Sequence, residues 1–494
     1  MMNNSIINFI LAFTYPITMK PLITKSIILF TIVLSYSIES KAQGTYTSQN
    51  INLLSVWDDL SVPAEPGYGI RYNGVWGWDD GLGHEYALLG ATNGVYFIDI
   101  TNPALPVEVD FVPGRRDSCI WREIKTYDHF AYLVSDDGAP NSFQIVDLQY
   151  LPDSVSVVYD GTSIFERSHT IFVDGDKLYT GTVKGGQFAN TAALAVFSLT
   201  NPLQPTLLRK LNTDYPSLLN SNQVHDMFVR NDTVYASCGF DGLFLFKYNT
   251  VVNNFSLLGS FTSYPSQGYN HSSALTEDGS TLVFMDEVPS GLPVKVLDVT
   301  DFSNLTMKST FSSNVGPTPH NPFMVGTTCY IAYYQDGLQV YDVSTPTNPV
   351  RLGYFDTHNQ TAFGGPYPSP PYQGAWGAYP YFPSGNVIVS DMQNGLFVLD
   401  PTPMFASIIE INNTNSFTLF PNPSAENQLV NITLNQAPTE KVRLELTDLQ
   451  GKVLTTEIKS DKNFSFSTKG MASGLYFVSI IAQEGRSVKK LVIN

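Results

Sequence analysis

Short stretches of alternating apolar and polar residues, separated by Asn, Asp and Gly, run through most of the chain. Residues 223–250, QVHDMFVRNDTVYASCGFDGLFLFKYNT, show the pattern most clearly. VHDMFV and TVYAS alternate, LFLFKY is a denser apolar run, and RND and GFDG between them contain residues that take turn geometry at little cost. The pattern predicts three consecutive strands, and tight turns join strands that run antiparallel. The same grammar recurs six more times.

When the residue that opens each first strand is taken as a marker, the repeats begin at Trp76, Trp121, His169, His225, His271, His320 and Trp376, a period of about 45 to 56 residues. Third strands such as GVYFIDI, SFQIVDL, VKVLDVT, LQVYDVS and LFVLDPT end in Asp99, Asp147, Asp298, Asp342 and Asp400. An Asp at that place can cap the following turn through the backbone. A row of metal ligands is the alternative reading. Ser198 and Lys247 replace the Asp in the third and fourth repeats. Fourth strands follow, such as FSLLGSF and VRLGYFDT.

Seven units of four strands predict an all-β fold, a seven-bladed β-propeller over residues 43–403. The last unit lacks a convincing fourth strand, because PTPMFASIIE matches poorly. INLLSVWDDL, near the start, matches well. Residues 51–58 are therefore expected to complete the last blade and close the ring, leaving no open sheet edge.

GVYFIDITNPALPVEV, GLQVYDVSTPTNPVRLGYF and LAVFSLTNPLQPTLL resemble LVIVD repeats. Residues 45–403 are similar to the choice-of-anchor B family of bacterial secreted propellers. The resemblance implies a secreted propeller and carries no activity with it.

After a polar linker at 404–416, residues 417–494 change character. FTLFPNPS, VRLELTDLQGKVL, GLYFVSI and KKLVIN read as strands with turn punctuation, a small β-sandwich. Pro421, Asn422 and Pro423, then Gly451, Gly474 and Tyr476, then Lys489 and Lys490 resemble, in order, the type IX secretion C-terminal sorting domain. The resemblance implies contact with the type IX machinery and a secreted or outer cell-surface address in a Gram-negative, Bacteroidota-type bacterium. An ordinary adhesive module is the competing reading. Residues 1–42 read as a signal peptide, with Lys20 and Lys25 before the apolar core SIILFTIVLSYS and the true start placed as late as Met19.

Composition narrows the partners. The 494 residues include 31 Phe, 27 Tyr, 36 Gly and 31 Pro, and the net charge is −17. An acidic chain without basic runs disfavours nucleic acid, and no later apolar run is long enough for a transmembrane segment. Cys119, Cys238 and Cys329 form neither a disulfide framework nor a zinc motif and read as buried free thiols.

Candidate chemistry lies in the marker row. Equivalent positions in a ring point the same way, so the imidazoles of His169, His225, His271 and His320 are expected to converge along the central channel, flanked by Trp76, Trp121, Arg122, Asp226, Asn321 and Trp376, with Ser168 also adjacent. Imidazole is the commonest metal ligand. The four histidines are therefore a hypothetical site for a divalent transition metal, calcium being the other ion left open. The competing reading makes the row a packing feature of the repeat. The acidic loops 79–84 and 136–141 match no calcium-loop spacing and read as solvated turns. GGPYPSPPYQG, 364–374, reads as a stiff surface loop. Neither a phosphate-binding glycine loop nor a GxSxG elbow occurs.

Three functions fit: a monomeric binding, adhesion or display protein that takes a protein or glycan ligand on its channel face; a metal-dependent oxidase or hydrolase using the histidine arc; or a structural surface component. The absence of a catalytic motif favours the first.

Overall fold

The structure, a computed structural model, describes residues 46–358, 372–407, 417–438, 441–448, 452–482 and 485–494. The expected signal peptide, Gly451 and most of the 364–374 loop lie outside them. Strands dominate, as alternation and turn residues predict. Seven antiparallel sheets follow one another along residues 48–400, and each first strand leads through two inner strands to an outer one. The second strands Glu85–Ala91, Phe130–Ser135 and Thr281–Asp286 are buried along their whole length. The outer strand Thr306–Phe311 alternates between exposed and half-buried residues. This gradient is the one a propeller requires, because inner strands are covered by neighbouring blades on both faces.

Each interface between consecutive blades has its own apolar core. Tyr86, Phe97 and Leu133 join blades one and two; Phe143, Phe165 and Phe197 join two and three; Tyr179, Met227 and Phe246 join three and four. Tyr235, Phe284 and Leu297 fill the next interface, and Met285, Ile331 and Tyr333 the one after. Val340, Val389 and Phe397 then join six and seven, while Tyr72, Ile98, Ile388 and Val398 join seven to one. The sequence of interfaces returns to its origin, so the ring is closed. Each fully buried Leu, Ile or Phe in these cores contributes on the order of 1.5–3 kcal/mol.

Closure is covalently discontinuous. Asn52–Trp57 pairs antiparallel with Gly395–Asp400, matching Asn52 with Asp400 and Trp57 with Leu396. The N-terminal segment thus supplies the seventh blade's outer strand, as its pattern predicts. Just before it, Ser48–Gln49 adds a fifth strand to blade six, which the sequence pattern does not reveal. The glycines that open the third strands sit in turns with φ of 68° at Gly337 and 93° at Gly395. A Cβ at either would come within 2.2 Å of a backbone oxygen, Phe355 O or Trp57 O.

The Asp row has the role the turn argument assigns. In all five blades a carboxylate oxygen accepts the amide of the residue two positions on: Thr101, Gln149, Thr300, Ser344 and Thr402 donate to Asp99, Asp147, Asp298, Asp342 and Asp400. Ser198 Oγ accepts from Thr200 N in the same way. Lys247 Nζ instead donates to Asn231 O.

One boundary shifts. The segment expected to open the linker at 404 begins as a short helix, Thr402–Ser407, and Met404 is fully buried in the core of blades six and seven. This helix stands where a fourth strand would have been redundant with Asn52–Trp57. The C-terminal region forms two sheets, of three and four strands, around Phe417, Ile432, Leu444, Val478 and Leu491, a small β-sandwich. No helix among the described residues is long and apolar enough to cross a membrane.

Candidate functional site

Four consecutive first strands carry a histidine at their start: Thr170–Asp174, Asp226–Arg230 and Asn321–Val325 each begin immediately after one, and His271 is the second residue of Asn270–Leu275. The main-chain amides of His169, His225 and His320 donate to carbonyls of the second strand, Gly181, Ser237 and Ala332. The ladder thus fixes the backbone and aims each side chain along the inner rim of the ring. The rings stand in a continuous row, each tilted 46–56° to the next. Centroids are 4.1 Å apart for His169 and His225, 4.3 Å for His225 and His271, 4.3 Å for His271 and His320, and 4.7 Å for His320 and Trp376. The expected convergence of the four imidazoles is therefore realised as an arc.

Each of three histidines also reaches the next blade's backbone. His225 Nδ1 is 3.2 Å from His271 O, His271 Nδ1 is 3.0 Å from His320 O, and His320 Nδ1 is 2.5 Å from Trp376 O. A carbonyl only accepts, so Nδ1 carries the proton in all three and a neutral ring has its lone pair on Nε2. Burial, reinforced by neighbouring imidazoles, holds His225 and His271 well below the usual histidine range; burial pushes His320 down to about 3.

His169 differs. Its Nδ1 lies 2.6 Å from Asp136 Oδ2. Burial would lower its pKa, but the Asp136 carboxylate outweighs this and raises it to about 9. The pair thus favours the protonated form of His169. Among the described residues the ligating side chains whose donor atoms come together are His271, Glu287 and His320, rather than the four histidines. Asp136 is itself a correction: the 136–141 loop, read as a solvated turn, places this carboxylate at the rim. The 79–84 loop is the turn expected, with Asp80 accepting from the amides of Leu82 and His84.

The arc bounds a cavity of about 380 Å³ that receives Trp121, Arg122, His169, His225, Asp226, His271, His320, Asn321 and Trp376. Trp76 is the marker the structure does not bring there. In blades four, six and seven the residue after the marker pairs with Ser237, Ala332 and Ser390, each equally far from its turn glycine. Leu89 holds that place in blade one and pairs with Val75. The true equivalent is therefore Gly74, where a Cβ would lie 2.3 Å from Arg122 O. Trp76, two residues on, packs against Tyr379 and under the Lys125 ammonium, and donates from Nε1 to Thr126 Oγ1. A bulge between Tyr72 and Val75 hides the register from sequence inspection.

Arg122 lines the cavity, but its guanidinium is committed to the main-chain oxygens of Ala91, Thr92 and Arg116. Asp226 accepts from Thr170 Oγ1 across the blade interface, and burial together with the Glu123 carboxylate raises its pKa to about 6. Ser168 turns away, donating to backbone within its own blade. Besides Asp136, the cavity residues that escaped the sequence reading include Glu287, which directly follows the second strand of blade five, and the rings of Tyr269 and Tyr334. Tyr334 Oη donates to Glu287 Oε1 at 2.7 Å. Glu287 Oε2 lies 3.8 Å from His271 Nε2. Glu287's neighbour Asp286 is anchored by a wholly buried ion pair with Lys295 at 2.7 Å. The signal for Glu287 was the DE pair ending blade five's second strand, which no other blade shares.

The fold and its rim thus define a closed seven-bladed β-propeller with a polar, aromatic central cavity. Residues 326–357 match the LVIVD repeat model, and residues 418–494 match the secretion system C-terminal sorting domain. The chain therefore carries an LVIVD repeat in blade six and a sorting tail, which implies export to the cell surface or secretion. In that tail Asn422 bridges to the last strand, donating to Lys490 O at 2.6 Å and accepting from Val492 N at 2.9 Å. Gly474 pairs with Ile493, Lys489 and Lys490 lie on the same last strand, and Tyr476 Oη donates to Ala472 O. Pro421 and Pro423 flank Asn422.

No curated protein matches the chain. Among solved structures, PorZ, a surface component of the type IX secretion system of Porphyromonas gingivalis, is similar at 11% identity over 84% of this chain, with a TM-score of 0.42. The chain spans 58% of PorZ's length. The β-propeller domain of Cps50 (Swd1) from Myceliophteria thermophila is similar at 10% identity, TM-score 0.45, covering 71% of this chain and 99% of that one. A putative 6-phosphogluconolactonase from Bacteroides uniformis is similar at 14% identity, TM-score 0.44, covering 61% and 85%. The propeller assignment rests on the seven sheets and their interfaces.

Proposed function

We propose that this protein is an exported binding propeller of a Bacteroidota-type bacterium that engages a glycan end in its central cavity. The observation that carries the reading is the cavity lining. Trp121, Tyr269 and Tyr372 offer apolar ring faces beside Asp136, Asp226 and Asn321, and the Oδ1 atoms of Asp136 and Asn321 are buried without a hydrogen-bond donor among the described residues. Buried acceptors left open cost free energy unless something donates to them. A sugar supplies hydroxyl donors and an apolar ring face together, and the cavity volume lies in the range of small-ligand sites. Export by the type IX machinery would put this cavity on the outside of the cell, where glycans are met.

The test is a glycan-array and calorimetric survey of the purified chain, followed by Trp121→Ala and Asn321→Ala. Binding to a defined glycan that weakens at least about tenfold in both variants supports the reading. Failure to bind glycans, or binding indifferent to both substitutions, defeats it, and recovery of a peptide ligand instead would assign the cavity to protein recognition.

A further inference from the structure

We propose that His271, Glu287 and His320 form a binding site for one first-row divalent transition ion, zinc being the probe of choice, with a coordination position open to the central cavity. This goes beyond the glycan reading and does not depend on it. Among the described residues these are the side chains whose donor atoms come together, all within 4.8 Å of one another. Two imidazole nitrogens and one carboxylate are a donor set that suits such an ion and leaves a position for water or ligand.

Geometry favours coordination over accident in three respects. First, the tautomers are set. His271 Nδ1 donates to His320 O at 3.0 Å and His320 Nδ1 donates to Trp376 O at 2.5 Å, which leaves Nε2 of each as the lone-pair atom. A metal-bound histidine is held in just this way, with its other nitrogen hydrogen-bonded to a carbonyl or carboxylate. Second, the carboxylate is oriented. Tyr334 Oη occupies Glu287 Oε1, so Oε2 faces His271 Nε2 at 3.8 Å. Two atoms bound to a tetrahedral ion at 2.0–2.1 Å stand about 3.4 Å apart, so this pair needs only a few tenths of an ångström, and the set as a whole, within 4.8 Å, closes by side-chain movement of up to about 1.4 Å. Third, the site is sheltered. The side chains of His271 and Glu287 are 5% and 11% exposed, and Glu287 hangs from a strand end pinned by the buried Asp286–Lys295 pair. Two neutral nitrogens and one carboxylate leave a bound divalent ion with a net positive charge. The carboxylates of Glu123 and Asp226, which also line the cavity, are opposite in sign to it, while Asp136 is paired with His169.

The purified chain, stripped with chelator, is titrated with Zn²⁺ by calorimetry, and Co²⁺ is followed by its visible absorption. One equivalent should bind with a Kd tighter than about 1 μM. Glu287→Gln and His320→Ala, checked for folding by circular dichroism, should weaken binding at least about 100-fold, and Tyr334→Phe by about tenfold. No zinc binding by the wild-type chain, or binding unchanged in folded Glu287→Gln, overturns the proposal. Should the variants not fold, crystals of the wild-type chain soaked in zinc decide. An anomalous peak about 2.0–2.2 Å from both Nε2 atoms and Glu287 supports it, whereas a peak elsewhere or no peak overturns it.

Discussion

His225 Nδ1 lies 3.2 Å from the main-chain oxygen of His271, one blade further round the ring. The same geometry repeats from His271 to His320 and from His320 to Trp376, so one residue type ties four successive blades at their inner rim. His225→Ala removes the donor, leaves a buried carbonyl unpaired and opens space beneath two rings. The expected cost is about 2–4 kcal/mol, measured by chemical denaturation. A loss under about 0.5 kcal/mol would mean the row does not brace the ring.

Ring closure depends on the segment leading into Asn52–Trp57. Ile51 is 2% exposed and sits in the core between blades six and seven. Ile51→Ala should destabilise the propeller by about 2–4 kcal/mol, although the residue precedes the first full repeat. An unchanged unfolding midpoint would detach the N-terminal strand from the fold.

The third-strand carboxylates are turn caps. Asp298 accepts from Thr300 N and Thr300 Oγ1, and those bonds hold its pKa down to about 2. Asp298→Ala should lose about 0.5–1.5 kcal/mol and leave zinc and calcium binding untouched. A change in ion stoichiometry would restore the metal-ligand reading of the row.

The His169–Asp136 pair predicts a particular pH signature. A histidine with a folded pKa of about 9 against about 6.5 unfolded binds more protons when folded. Its stabilisation is complete below about pH 6.5 and is lost as pH rises through 9. Asp136, held below its ordinary value by His169 against the effect of burial, loses its share as pH falls below the usual carboxylate range. The melting-temperature gap between wild type and Asp136→Asn should therefore be widest between about pH 4 and 6.5 and should shrink by pH 10. A gap that stays constant across this range would contradict the ion pair.

Lys295 and Asp286 are both fully buried and 2.7 Å apart, and Asp286 also accepts from Tyr264 Oη. Lys295→Met removes one charge and strands the other, at an expected cost of about 3–5 kcal/mol. The paired change to Lys295→Met with Asp286→Asn should recover part of that loss. Equal losses in the single and double variants would show that the two charges are not coupled.

Periodicity made much of this architecture legible. Alternation of period two, turn glycines and the repeated Asp marked the strands and their order, because those signals are local and recur in every blade. The N-terminal strand was recognisable because it looks like the outer strands it replaces. The marker histidines were visible for the same reason, since a repeat puts equivalent residues at equivalent places on the ring. Gly74 was missed because a bulge shifts register by an amount no alternation pattern reports. Asp136 was missed because a loop's polarity does not say which way it folds.

What the chain's order of residues determined was the number of blades, their closure and the four-histidine row, all consequences of local pattern repeated in sequence. What only the folded ring decided was chemical identity at the rim. Three of those imidazoles became neutral because burial beside other imidazoles disfavours the charge, with Nδ1 fixed as the donor to the next blade's carbonyl, while His169 became a cation because Asp136 arrives from another blade. Glu287 joined them from a strand end with no repeat to announce it. Protonation and ligand geometry depend on distances of a few ångströms between residues tens of positions apart, and those distances exist only once the blades have packed.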